Sequence, residues 1–300
     1  MNKPIISIEA PTNFDFQECL WFLDRNFDDC MHKVDADQVI KVFEIEGRQL
    51  LISVAFYEGN LQIEVLVGDL EESDVKKIKQ FISDWFDLEK DMESFYRLVK
   101  KDERLAYMVT AYSGLRLIGI PNLFEAICWA IIGQQINLTF AYKLKRRLVE
   151  KYGTYMSFND VNYYVFPSCD VLASLCADDL KEMQFSRSKA EYLIIIAKAF
   201  ANGEMSKDNL LALPDLNARQ KALNNIKGIG VWTANYALMK SLKEHSCVPY
   251  GDAGLLNSLL NHNIITDKKQ HIEIQTFFKD YSGWESYLVF YLWRSLANKE

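Results

Sequence analysis

The chain has 300 residues, 49% of them hydrophobic and 13% aromatic, enough to fill the core of two domains or of one large one. It contains no apolar run of about 18 residues or more, which excludes a membrane-spanning helix, and Met1–Ala10 lacks the basic-then-apolar layout of a secretory leader. The net charge of −7 argues against a nucleic-acid partner until it is divided: residues 1–110 carry 13 Lys+Arg against 23 Asp+Glu, whereas residues 111–300 carry 21 against 18.

In chain order, Ile5–Ile8 suits a strand and Phe14–Arg25 an amphipathic helix. Residues 39–68 alternate apolar and polar side chains over three runs, broken at Glu46-Gly47 and at Glu58-Gly59-Asn60, which predicts a three-strand antiparallel meander. Ser73–Trp85 follows as a second helix. Residues 1–105 therefore read as an α+β domain with an antiparallel sheet. From Asp91 on, the periodicity is helical. Thr110–Pro121 is a loop, and helices are expected near 122–133, 137–151, 178–183, 188–202, 216–225, 231–243, 252–261, 268–280 and 284–297. Residues 106–300 are expected to form an all-α domain of many short helices. The six cysteines stand far apart without a CxxC pair, as reduced core residues do, and the expected compartment is the cytoplasm.

The stretch from Ile226 to Leu256 carries the chemistry. Gly228-Ile229-Gly230 lets the backbone turn sharply, and Val231-Trp232-Thr233 then opens a helix whose free N–H groups suit an anion. Such a corner holds a DNA phosphate without reading bases, or simply packs two helices. Asp252 follows the turn Pro249-Tyr250-Gly251 and precedes an apolar helix, so by position it is an N-cap or a presented carboxylate. Trp232 and Tyr236, one helical turn apart, pack in a core or line an aromatic pocket. The basic cluster Lys143, Lys145, Arg146 and Arg147 is a solvated helix face or a phosphate contact.

K-G-I-G-V-W-T-A-N-Y-A followed by V-P-x-x-D resembles the helix-hairpin-helix DNA glycosylase superfamily, most closely its bacterial 3-methyladenine glycosylase II branch. Three further stretches agree in order and spacing. They are Gly114–Leu117 with Pro121 and Phe124 through Ile136, then Phe185–Tyr192, then Trp284–Leu288 with Trp293, where Glu285 and Leu288 depart from the pattern. The resemblance covers residues 110–300. It implies excision of alkylated bases from damaged double-stranded DNA in base excision repair, by a monomer. It also implies Asp252 as the catalytic carboxylate and Trp232, Tyr236 and Trp293 as the base pocket. Gln135 would be the wedge that fills the vacated base stack, and Gly228, Gly230 and Thr233 the phosphate clamp. Where lyase members carry a Schiff-base lysine, this chain has Trp232, so hydrolysis without strand cleavage is expected. Relatives hold a monovalent cation at the hairpin. Its matching carbonyls here belong to Asn224, Ile226 and Ile229, with Lys227 in place of a proline. No four-cysteine cluster occurs, so no iron–sulfur centre is expected, and the four histidines lack metal-ligand spacing. The alternatives are a glycosylase for oxidised purines on the same scaffold and a non-catalytic DNA-binding module.

Overall fold

The computed structural model describes residues 5–25 and 27–298. Residues 1–4 of the Met1–Ala10 stretch lie outside them. The N-terminal part runs β1 (Ile6–Glu9), α1 (Phe16–Leu23), β2 (Lys33–Asp35), β3 (Gln38–Ile45), β4 (Arg48–Tyr57), β5 (Asn60–Val67) and α2 (Glu72–Phe86). Its strands form one antiparallel sheet in the order β1-β5-β4-β3-β2. The meander predicted from alternation is β3–β4–β5, in register at Phe43↔Leu50 and Ala55↔Gln62. Both hairpin turns put two residues at positive φ, Glu46-Gly47 at 48° and 78° and Glu58-Gly59 at 48° and 79°. That is the backbone a tight two-residue hairpin demands, and glycine supplies its second position without strain.

The helical part follows as α3 (Glu93–Val99), α4 (Met108–Ala111), α5 (Leu123–Gly133) and α6 (Leu138–Tyr152). After a hairpin of β6 (Thr154–Phe158) and β7 (Val161–Val165) come α7 (Cys169–Ala173), α8 (Ala177–Lys181), α9 (Arg187–Ala201) and α10 (Lys207–Leu211). The chain ends with α11 (Leu216–Asn224), α12 (Val231–Ser241), α13 (Ala253–Asn261), α14 (His271–Lys279), α15 (Glu285–Arg294) and a 3-10 turn. The β6–β7 hairpin is an addition to the helices expected there. It turns through Asn159-Asp160, both at positive φ.

That hairpin explains why the sheet strands carry apolar residues on both faces. One face, with Val39, Phe43, Ile52 and Ile63, packs on Ile78, Ile82 and Trp85 of α2. The other, with Ile40, Val42 and Leu51, is covered by Tyr163 and Val165 of β7. The Gln49 side-chain amide adds a 2.7 Å bond to the Thr154 hydroxyl. Helix α5 sits at the centre of the helical part. Every residue from Leu123 to Ile132 is buried, so it has no solvent face, and its N-terminus is capped by the Asn122 side chain. Helices α9 and α12 pack on it, and one continuous apolar core runs from Ile6 to Leu292 across both parts.

Candidate active site

The turn between α11 and α12 uses its two glycines differently. Gly228 adopts φ +98°, and a β-carbon there would come within 2.4 Å of the Tyr192 ring on α9. It is required both by the turn and by close packing. Gly230 is extended, at φ −92°, and a β-carbon on it would meet nothing within 4 Å. The fold leaves open space beside it, on the side where α12 begins. Gly230 caps α12 with no side-chain bond, so the first N–H groups of the helix keep no internal partner. The Thr233 hydroxyl accepts from the Gln134 side-chain amide at 2.9 Å, and the residue is buried. The Thr233 hydroxyl is thus engaged inside the protein, while its backbone N–H belongs to the first turn of α12. The same amide donates to the Gly228 carbonyl at 3.0 Å, tying the hairpin to the end of α5.

Asp252 is the N-cap of α13: its Oδ1 accepts from the Leu255 N–H at 2.7 Å. The position-based reading is thus met, yet the cap occupies only part of the carboxylate. Trp293 Nε1 donates to Oδ1 at 2.8 Å, and Trp232 Nε1 lies 3.4 Å from Oδ2. Two indole N–H groups from α15 and α12 thus converge on one half-buried carboxylate, and no cation among the described residues pairs with it. The loop carrying it is pinned from two sides. Asn235 of α12 donates to the Val248 carbonyl at 2.8 Å, and the Ser286 hydroxyl of α15 reaches the Glu244 and Cys247 carbonyls at 2.8 Å.

The three aromatic residues named from the sequence meet. Trp232 stacks on Tyr236 with centroids 5.4 Å apart, and Tyr236 lies 6.2 Å from Trp293. They belong to a larger circuit that the sequence did not reveal. The Tyr236 hydroxyl accepts from Trp129 Nε1 at 2.9 Å, and Trp129 packs on Tyr142 at 4.6 Å. Tyr142 stacks on Phe27 at 5.1 Å, and the Arg25 guanidinium stands 5.6 Å from Phe27 and 3.8 Å from Phe22. Phe22 touches Phe290 at 4.5 Å, and Phe290 returns to Trp293 at 6.3 Å. Phe22, Arg25 and Phe27 lie around the end of α1, so the N-terminal part closes the circuit. Burial pushes the Tyr236 phenol well above its ordinary range, which keeps it protonated.

Gln135 is exposed on the turn after α5 and holds φ +56°, a left-handed conformation that is unusual outside glycine. The turn is braced by Lys189 of α9, whose buried ammonium donates to the Ile132 carbonyl at 2.7 Å; desolvation lowers its pKa. The basic cluster on α6 is largely spent inside the protein. Lys145 is buried and pairs with Asp29 and Glu125, Arg146 pairs with Asp28 and Glu150, and Arg147 bonds the Met183 carbonyl and Gln184. Lys143 alone of the four is exposed. At the hairpin, by contrast, Lys227 is exposed and no described carboxylate pairs with it. The Ile226 carbonyl accepts from the Ile229 N–H at 3.1 Å, while the Asn224 and Ile229 carbonyls accept no bond among the described residues. Oxygen donors at the end of α11 fit a hard monovalent cation in kind.

The profile of the HhH-GPD superfamily base excision DNA repair proteins matches residues 128–282. The chain belongs to this superfamily. The profile of the 8-oxoguanine DNA glycosylase N-terminal domain matches residues 8–127. Over the whole length, the HhH-GPD chain is 38% identical to the DNA-3-methyladenine glycosylase of Bacillus subtilis (strain 168), covering 97% of each sequence. Its fold is similar to the 3-methyladenine DNA-glycosylase from Archaeoglobus fulgidus, with a TM-score of 0.83, 22% identity and 96% of each chain covered. It is also similar to the Clostridium acetobutylicum 8-oxoguanine glycosylase/lyase in complex with double-stranded DNA, with a TM-score of 0.78, 18% identity and full coverage of both chains.

Proposed function

We propose that this protein is a monofunctional DNA glycosylase that flips an alkylated base out of duplex DNA and hydrolyses its bond to the sugar. The observation that carries the reading is the Asp252 carboxylate between the two indole N–H groups at the aromatic circuit. In this reading the hairpin seats a phosphate on the N–H groups of Gly230 to Thr233, with Lys227 beside it as a cation. Gln135 enters the space left by the flipped nucleotide and offsets an unstacking cost of roughly a few kcal/mol. The base lies against Trp232, Tyr236 and Trp293, where stacking and cation–π attraction favour a ring made cationic by N-alkylation, each contributing about 0.5–2 kcal/mol.

As the bond from C1′ to the base nitrogen lengthens, its electron pair leaves with the base and the sugar becomes cationic. The Asp252 carboxylate stabilises that charge. A water then adds to C1′ and gives its proton to Asp252. The indole N–H groups hold the carboxylate in line. A Schiff-base route would need an amine where Trp232 stands. The lysine further along α12, Lys240, is buried, and its ammonium is bonded to the Ile118 carbonyl, so it offers no substitute. When bound at the Asn224, Ile226 and Ile229 carbonyls, a monovalent cation would add rigidity and positive charge to the phosphate seat.

The test is incubation with methylated duplex DNA, scoring free bases and strand breaks separately. The expected result is 3-methyladenine or 7-methylguanine release without nicks. Asp252→Asn should lower release by at least about 100-fold while duplex binding stays nearly intact. Release from an 8-oxoguanine duplex with strand cleavage would instead favour the oxidised-purine reading, which the match of residues 8–127 keeps in view.

A further inference from the structure

We infer that Arg25 is a specificity-determining residue that selects leaving bases bearing a ring carbonyl oxygen, the 6-oxopurines, over the cationic 6-aminopurine 3-methyladenine. This rests on the alkylbase reading of the same site. The starting point is the position of the guanidinium. It lies 3.8 Å from the Phe22 ring and 5.6 Å from the Phe27 ring, the two aromatics through which the N-terminal part joins the circuit of Tyr236 and Trp293. Its charge is felt at the Tyr236 and Tyr142 phenols.

The second observation is what Arg25 is not doing. Its Nε donates to the Phe22 carbonyl at 2.9 Å, which fixes the plane of the guanidinium over Phe22. No carboxylate among the described residues pairs with it, although Asp28 and Asp29 lie three and four positions on. Those two are engaged by Arg146 and Lys145 instead. The guanidinium also has the Tyr142 hydroxyl as a neighbour, and with five N–H donors it keeps some to spare. A half-buried guanidinium without a counter-ion, held over a ring of the aromatic circuit, is an electrostatic probe of whatever base lies against that circuit.

The chemistry of the bases then decides the sign. A guanidinium only donates, so it bonds a carbonyl oxygen and has nothing to give an exocyclic amino group. Hypoxanthine and 7-methylguanine present the 6-oxo acceptor. 3-Methyladenine presents an amino group on a ring already positive, which the guanidinium repels; 7-methylguanine carries the same charge but keeps the oxo acceptor, so it falls between 3-methyladenine and hypoxanthine. Hypoxanthine is the sharper case: it is neutral in DNA and gathers negative charge as it leaves, so a nearby cation helps most there.

The experiment compares single-turnover release of hypoxanthine, 7-methylguanine and 3-methyladenine from otherwise identical duplexes by the full-length protein, Arg25→Ala and Arg25→Lys. Circular dichroism melts confirm that all three are folded. Arg25→Ala should lower the ratio of hypoxanthine to 3-methyladenine release by about 10-fold or more, the effect of a charged hydrogen bond on a rate. Arg25→Lys should recover part of it by charge without the planar fork. An unchanged ratio in Arg25→Ala overturns the inference while leaving the alkylbase reading standing, as does a wild-type enzyme that releases 3-methyladenine and neither 6-oxopurine. A folded wild-type enzyme that releases none of the three overturns both, and that failure is visible before any variant is made.

Discussion

At the residue scale, the cap that Asp252 provides and the catalytic role proposed for it are compatible on the same side chain. Oδ1 caps α13 and takes the Trp293 indole N–H, while Oδ2 faces Trp232 at a distance too long for a strong bond. The cap fixes the side chain and leaves Oδ2, the oxygen the proposed mechanism uses, without a strong bond. Gly254 guards that arrangement. A β-carbon on it would lie 3.2 Å from Asp252 Oδ1 and 3.3 Å from the Trp293 ring. The carboxylate oxygen can yield only by loosening the two bonds that hold it. Gly254→Ala should therefore change stability by no more than about 1 kcal/mol, because the gain from a better helix former is offset by the loosened cap of α13. The same change should lower base release by about 10-fold through displacement of the carboxylate. Thermal melts and single-turnover release on the same preparation separate the two effects.

At the element scale, the hairpin is a rigid unit because it is held to α5 and α9 as well as to its own helices. Gln134 bonds it at Gly228 and Thr233, and Tyr192 fills the hollow above Gly228. Lys189 fixes the neighbouring turn, so Gln135 and the turn from Gly228 to Thr233 share one frame. The charge available to DNA at this frame is local. The cluster on α6 is mostly consumed by Asp28, Asp29, Glu125 and Glu150, whereas Lys227 stands exposed at the hairpin tip. Lys227→Ala should weaken binding to all duplex sequences alike. The slope of log affinity against log salt should become less negative by about 1, as measured by fluorescence anisotropy over a salt series.

At the scale of the whole molecule, the acidic N-terminal part is built into the glycosylase part. Asp87, at the end of α2, accepts from the Tyr287 hydroxyl at 2.7 Å and meets His245 at 2.9 Å. Asp29 meets the buried Lys145 ammonium at 3.1 Å. Burial alone would raise both carboxyls. His245, Tyr287 and Lys243 outweigh it at Asp87, and Lys145 and His32 at Asp29, so both are held below their ordinary value of 3.8. A depressed carboxyl contributes its stability fully above the unfolded-state value and loses it as pH falls through the folded one. Melting temperature should therefore drop as pH falls below about 4, and the drop should be smaller in Asp29→Asn and Asp87→Asn. Those variants should also be less stable near neutrality, because each leaves a buried cation or donor short of a partner. Melts over a pH series check both statements. No described helix is long and apolar enough to cross a membrane.

The sequence by itself determined the meander, most of the helices and the hairpin with its distant carboxylate. Those depend on local periods, on turn residues such as Glu46-Gly47 and on one contiguous stretch from Ile226 to Asp252. The β6–β7 strands were not legible as such, because twelve residues of modest alternation become strands only when the second face of the sheet covers them. The Thr233 hydroxyl reads as free at a helix start until Gln134, about 100 positions away, donates to it. Likewise Lys145 reads as solvated or phosphate-facing until Asp29 and Glu125 bury it. The aromatic circuit was the hardest part to foresee. Trp129, Tyr142 and Phe290 look like core side chains on apolar helices, and Phe22, Arg25 and Phe27 belong to the other part of the chain. Only packing across the two parts brings their rings within contact, because ring and guanidinium contacts act over a few ångströms and carry no mark in the linear order. The chain order set which groups are available; the shared core decided which of them meet around Asp252 and Tyr236.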